Sequence, residues 1–274
     1  MSQLPRITLP RQFTLQAEFH ASIPFVMGEW NGKTCRFLFD SGGQDLSLNA
    51  RYVDPSTAVE GQGAQGATGF TPGTYCPVES IRFGDWAMEN LELIAFDHAH
   101  LEEEFKVEIH GILGFRHLIH YDWMLDYGTG EITFWDRVRK ENLNILHRER
   151  VQYRHHLPSL MLEIGGHSLR FLVDTGCEEV LIDQQWREKL SDCVEEMAAD
   201  QMSSASPIVF DVEKGTISGF RLGDLEFGPN KVTFSDLSHM KSLGEFDGII
   251  GYPLLSKYRV VQSWSVSAFY FLKD

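Results

Sequence analysis

Two short stretches place carboxylates where chemistry would need them. Arg36-Phe37-Leu38-Phe39-Asp40-Ser41-Gly42 returns as Arg170-Phe171-Leu172-Val173-Asp174-Thr175-Gly176, 134 residues later. Each ends an apolar run with an aspartate, a small hydroxyl residue and a glycine. The run reads as a buried strand and Ser/Thr-Gly as the turn that ends it. A carboxylate at the end of a buried strand is costly unless hydrogen-bonded or functional. One such Asp-Ser-Gly alone would read as a capping or turn aspartate. Two in matched contexts predict a pair that meets. Carboxylates within hydrogen-bonding distance share one proton, because one pKa falls as the other rises. The ionised member can then take a proton from water, while the protonated member polarises a carbonyl. This chemistry needs neither a covalent intermediate nor a metal.

The elements around the two aspartates repeat as well. Ile23–Gly42 and Leu157–Gly176 align without gaps, and nine of the twenty positions are identical. Such self-similarity marks an internal duplication. Asn31-Gly32 and Gly165-Gly166 read as two-residue hairpin turns. Each half later closes with an apolar pair and glycine, Gly111-Ile112-Leu113-Gly114 and Gly248-Ile249-Ile250-Gly251. Asp40 to Gly114 spans 74 residues and Asp174 to Gly251 spans 77, so both halves share one layout. Short helices are expected at 115–119 and 252–257. Strand pairs are expected at 123–125 with 132–135, and at 260–262 with 269–272. Many short strands with Gly-rich turns and little helix predict an all-β chain. Residues 136–154 show no strand alternation, carry six Arg or Lys side chains, and read as a partly helical basic connector. The division expected is therefore a first lobe at 1–135, a linker at 136–154 and a second lobe at 155–274.

Composition limits the remaining options. Hydrophobic residues make up 43% and charged residues 23%, which is enough to bury a full core. A formal net charge of -15 argues against nucleic acid as a partner. No stretch reaches the roughly 18 apolar residues of a membrane helix, and the N-terminus lacks a secretion-signal pattern. A cytoplasmic location is expected, or a periplasmic or secreted one where a leader has been removed, with no membrane partner. Cys35, Cys76, Cys177 and Cys193 lack metal-type spacing, and the eleven histidines form no accepted zinc pattern, so no cofactor or metal is expected.

Asp40-Ser41-Gly42 and Asp174-Thr175-Gly176, each followed by apolar-apolar-Gly, resemble the aspartic peptidases of the retropepsin and pepsin type. The resemblance covers about 23–135 and 157–272. It implies two homologous retropepsin-like β-barrel lobes in one chain, with a cleft between them, acting as a monomer on peptide or protein substrates. It implies that Asp40 and Asp174 are the catalytic pair, supported by Ser41, Gly42, Thr175 and Gly176. It implies flaps at about 61–76 and 201–219, with Phe70 or Tyr75 as the aromatic over the cleft; within the second of these, Glu213-Lys214-Gly215 itself reads as a turn. Two departures are visible. His110 stands where the second half has Asp247, and Gly43 stands where it has Cys177, which reads as a packing residue. The activity implied is aspartic endopeptidase. The other possibility is a catalytically silent peptide- or protein-binding module on the same fold.

Overall fold

The computed structural model describes residues 4–60, 64–66, 69–202 and 210–273, with backbone only at 60, 64–66, 69, 70, 202, 210 and 242. The chain is mostly β. Its first half closes six strands into a barrel, in the order Ile23–Trp30, Lys33–Phe39, Gly111–Leu113, Ser47–Asn49, Trp86–Phe96 and Gly73–Phe83. The last strand returns to the first through Glu29↔Arg82 and Trp30↔Ile81. The second half follows the same order from Leu157–Ile164 and His167–Val173 through Gly248–Ile250 and Val180–Asp183. Its closing contact shrinks to one bridge, Glu163↔Arg221. The strand that would carry it stops at Ile217 and resumes only at Arg221–Leu222.

Local rules account for the hairpins. Trp30 pairs with Lys33 across Asn31-Gly32, and Ile164 pairs with His167 across Gly165-Gly166. All four turn residues have positive φ, between 49° and 78°. This is the two-residue turn whose twist suits paired strands, and asparagine and glycine adopt it most readily.

The uninterrupted apolar runs are explained by burial on both faces. Phe37 and Phe39 point into the main core with Phe83, Trp123 and Phe134. Leu38, between them, points the other way, onto Phe25, Phe96, Phe105 and Ile112. The second half repeats this, with Phe171 and Val173 in the main core and Leu172 packed on Leu157, Leu181 and Ile249. Helix Ala99–Phe105, for which the sequence carried no expectation, covers the outer face of the first half by burying Leu101 and Phe105.

One sheet ties the halves together. Gln12–His20, Glu131–Trp135, Asp122–Leu125, Arg259–Ser263, Ala268–Leu272 and Ile145–Arg150 lie side by side in that order. The join is Trp123↔Gln262, Met124↔Val261 and Leu125↔Val260. The terminal hairpins expected in each half are thus also the hydrogen-bonded seam between them.

Two expectations are corrected. The stretch expected to be a partly helical connector holds two strands, Ile145–Arg150 and Gln152–Arg154, beside a single 3-10 turn at Lys140–Asn142. Burial alternates along Ile145–Arg150, but the inward positions include His147 and Glu149, which interact with each other at 3.4 Å. An edge strand covered by a polar pair leaves no apolar alternation to read. Glu213-Lys214-Gly215 is not a turn. It lies within the strand Phe210–Ile217, which pairs with Val194–Met202. Gly215 is there for close approach: a Cβ would stand 2.5 Å from the Met197 sulfur and 2.6 Å from Val194.

Two histidines, His98 buried and His117 half-buried, make the fold sensitive to acid. Burial holds His98 neutral down to about 3 and His117 down to about 4. The unfolded chain takes up these protons below about pH 6.5 and the folded chain does not. Their contribution to stability is whole above about pH 6.5 and declines as pH falls through the folded values. The melting temperature is therefore expected to fall from pH 6.5 to 4, with a shallower fall in His98→Leu, as differential scanning fluorimetry would show.

Candidate active site

Asp40 and Asp174 sit where their strands end, and the same short strand geometry positions each. Gly111–Leu113 runs parallel to the first, pairing Ile112 with Leu38 and Leu113 with Phe39. Gly248–Ile250 runs parallel to the second, pairing Ile249 with Leu172 and Ile250 with Val173. The Asp40 N–H donates to the Leu113 carbonyl at 3.2 Å, and the Asp174 N–H to the Ile250 carbonyl at 3.0 Å. The apolar-apolar-Gly segments thus underlie the two loops.

The hydroxyl residues lock the halves together across 134 residues of sequence. The Ser41 N–H donates to Thr175 Oγ1 at 3.0 Å, and the Thr175 N–H donates to Ser41 Oγ at 3.1 Å. Each hydroxyl then donates to the opposite strand: Ser41 to the Val173 carbonyl at 2.9 Å, and Thr175 to the Phe39 carbonyl at 2.7 Å. Both hydroxyl residues are fully buried. Removing one therefore leaves buried backbone groups unpaired, at about 1–3 kcal/mol each. Thr175→Val strips partners from Ser41 N–H and Phe39 C=O. It is expected to lower unfolding stability by about 2–4 kcal/mol on that scale, measured by urea denaturation.

This lock brings the two carboxyl groups into hydrogen-bonding contact. Gly42 is the fitted piece: a Cβ there would run into the Asp174 carboxyl group. At Gly176 the equivalent Cβ would stand 3.0 Å from Asp40 Cγ. Both aspartates are half-buried, and their charges are not equivalent. Asp40 Oδ1 accepts from Gly42 N–H and Gly43 N–H, each at 2.8 Å. Asp174 Oδ1 accepts from Gly176 N–H at 2.7 Å, while the N–H of Cys177, the counterpart of Gly43, turns to the Asp174 backbone carbonyl at 3.4 Å. Burial raises both carboxyl groups. At Asp40 the hydrogen bond from Asp174 and the two glycine N–H groups oppose it. At Asp174 burial is joined by the neighbouring Asp40 charge, and together they hold that carboxyl well above the usual carboxylate range against the opposing N–H groups of Gly176 and Gly42. Two such carboxyl groups share one proton, and the two glycine N–H donors favour the ionised form at Asp40. The titration itself belongs to the pair.

The departures between the copies have structural meaning. His110 Nδ1 accepts the Arg36 N–H at 3.2 Å, where Asp247 Oδ2 accepts the Arg170 N–H at 2.8 Å. A neutral imidazole thus does the work of a carboxylate, with its ring stacked on Tyr52 at 4.5 Å. Cys177 is held protonated, because burial and the Asp174 charge push its thiol up. Residues not singled out in the sequence also meet here. The Tyr127 ring packs on Tyr252 at 5.5 Å between the halves, and burial and the Asp174 charge keep its hydroxyl protonated. Only its place after the closing strand of the first half could have signalled it.

Of the two flap aromatics, Tyr75 is half-buried in Gly73–Phe83, in register with Ile94 and Val59. The Phe70 side chain lies outside the described residues, as do residues 61–63, 67–68 and 203–209 of the two expected flaps. The Ala64–Gly66 backbone, paired with Gly69–Thr71, reaches the Ser238–Ser242 turn of the second half. Among the described residues, no group of three His, Cys, Asp or Glu side chains is placed to hold a metal ion.

Comparison with known proteins agrees with the duplicated geometry. A family model described as aspartyl protease matches twice, over residues 26–116 and 160–254. No curated protein matches the chain. Each matched segment contains one Asp-Ser/Thr-Gly loop and its underlying strand, and together they cover more than half of the sequence: the chain belongs to the aspartyl protease family.

Proposed function

We propose that this protein is an aspartic endopeptidase that hydrolyses peptide bonds with a water activated between Asp40 and Asp174. The observation that carries this reading is the reciprocal Ser41–Thr175 lock, which holds the two carboxyl groups in contact from opposite halves. Asp40, ionised, takes a proton from the water as its oxygen attacks the scissile carbonyl carbon. Asp174 gives its proton to the carbonyl oxygen, forming a neutral tetrahedral diol. On collapse the C–N bond breaks and the proton held by Asp40 passes to the leaving nitrogen. A diol proton returns to Asp174, restoring the starting state. The substrate lies extended between the halves, beneath the hairpin that reaches toward Ser238–Ser242. One chain supplies both aspartates, so a monomer suffices.

The test is cleavage of a diverse peptide library between pH 3 and 7 by the intact protein, with a pepstatin-type inhibitor as competitor. Inhibitor-sensitive cleavage is the expected result. Peptide binding without turnover at any pH would support the silent binding module in its place.

A further inference from the structure

The two copies of the fold differ in how the loop after the aspartate is fastened, and the difference centres on a histidine. In the first half, helix Phe115–Leu118 grips the loop at successive residues. The Phe115 N–H donates to the Gly43 carbonyl at 2.7 Å, and the Arg116 N–H to the Gln44 carbonyl at 2.8 Å. His117 Nδ1 then accepts the Leu46 N–H at 3.2 Å, and the Arg116 side chain pairs with Asp45 at 3.2 Å. In the second half the counterpart helix is Tyr252–Leu255, whose Tyr252 N–H donates to the Cys177 carbonyl at 2.8 Å. Gly248-Ile249-Ile250-Gly251-Tyr252-Pro253-Leu254 aligns with Gly111-Ile112-Leu113-Gly114-Phe115-Arg116-His117. Leu254, which cannot accept a hydrogen bond, therefore stands where His117 does.

We propose that His117 is a positioning residue for Asp40: its neutral imidazole latches the loop that carries Asp40, and protonating the ring releases that loop. The chemistry is that of a two-nitrogen ring. Nδ1 can accept the Leu46 N–H only while unprotonated, with the ring proton on Nε2. A second proton turns the acceptor into a donor facing a donor. The charges around the ring favour the neutral form. Burial first, then His120 three residues on and Arg116 just before it, work against a positive charge there. The carboxylate on the loop, Asp45, is engaged by Arg116. The second half, fastened without a titrating group at this position, serves as an internal control. The catalytic consequence rests on the peptidase reading, whereas the latch itself does not.

The experiment follows amide hydrogen exchange of residues 40–46 and 174–180 in the full chain from pH 6 to 3.5, corrected for intrinsic rates. In the wild type, protection of 40–46 is expected to fall about tenfold relative to 174–180 as His117 takes its proton. In His117→Asn, whose Oδ1 can accept the same N–H without titrating, the ratio stays level. In His117→Leu, the 40–46 loop is already less protected at pH 6. Peptide cleavage at pH 6 is expected to show kcat reduced about tenfold in His117→Leu, KM nearly unchanged, and recovery in His117→Asn. The proposal is overturned if the two wild-type loops track each other across the range, or if His117→Asn loses protection as the wild type does. Absence of cleavage by the wild type would remove the peptidase reading and leave the exchange result to decide the latch.

Discussion

Asp174→Asn is expected to lower kcat by about 10⁴-fold, at the upper end of what a positioned general acid contributes, and to raise the melting temperature at pH 7. The two effects share one cause. In the proposed mechanism Asp174 is the member that holds the proton, since burial and the Asp40 charge both raise its carboxyl. An amide keeps the shape and neutrality of the protonated acid but cannot pass a proton to the substrate oxygen. The direction of the stability effect follows from linkage. A carboxyl whose folded pKa is raised contributes stability that is full below its unfolded value, about 3.8, and is lost as pH rises through the folded value. Asparagine removes that loss, so the melting-temperature gap between variant and wild type should widen from pH 4 to pH 7. Asp40→Asn should be equally inactive, because the group that receives the water proton is gone. Cleavage assays and thermal melts at both pH values measure this. Retained turnover in either variant would remove the paired-carboxyl mechanism, and a gap that stays constant would remove the shared proton.

Gly42→Ala is expected to cost about 10²-fold in kcat/KM, the penalty typical of an ångström-scale misplacement of a reacting group. The added methyl occupies the place of the Asp174 carboxyl group, so one of the two loops has to move. Gly176→Ala should cost less, about tenfold on the same reasoning, because its methyl meets Asp40 Cγ at 3.0 Å, where a few tenths of an ångström give relief. Gly166→Ala is the control. No atom lies within 4 Å of the added methyl, but φ is +78°, so the variant should lose about 1 kcal/mol of stability and keep its activity. Steady-state kinetics on the three variants test the order. Equal losses at 42 and 166 would show that backbone strain, and not carboxyl placement, is what glycine relieves.

Much of the molecule was legible because the signals were local and came twice. The hairpin turns, the apolar strand ends and the apolar-apolar-Gly segments each follow from short-range backbone rules, and duplication separated them from chance. The seam between the halves was visible as two separate hairpins, but their pairing was not, because Leu125 and Val260 meet only across the finished sheet. Residues 145–150 escaped because an edge strand whose inward side chains include histidine and glutamate carries no apolar period. Glu213–Gly215 misled because a glycine that admits a neighbour's side chain has the same letter as one that turns the chain.

The sequence by itself determined that two equivalent halves would each carry one aspartate to a strand end, because duplication and strand periodicity are properties of residues close along the chain. Only the tertiary structure decided that the aspartates differ. Gly43 gives Asp40 a second N–H donor that Cys177 does not give Asp174, and His117 fastens one loop where the other half has Leu254. The first contact runs three residues along the chain and the second spans 71 residues within the first half. Both depend on how the folded loops aim their donors and acceptors, which residue types alone do not fix.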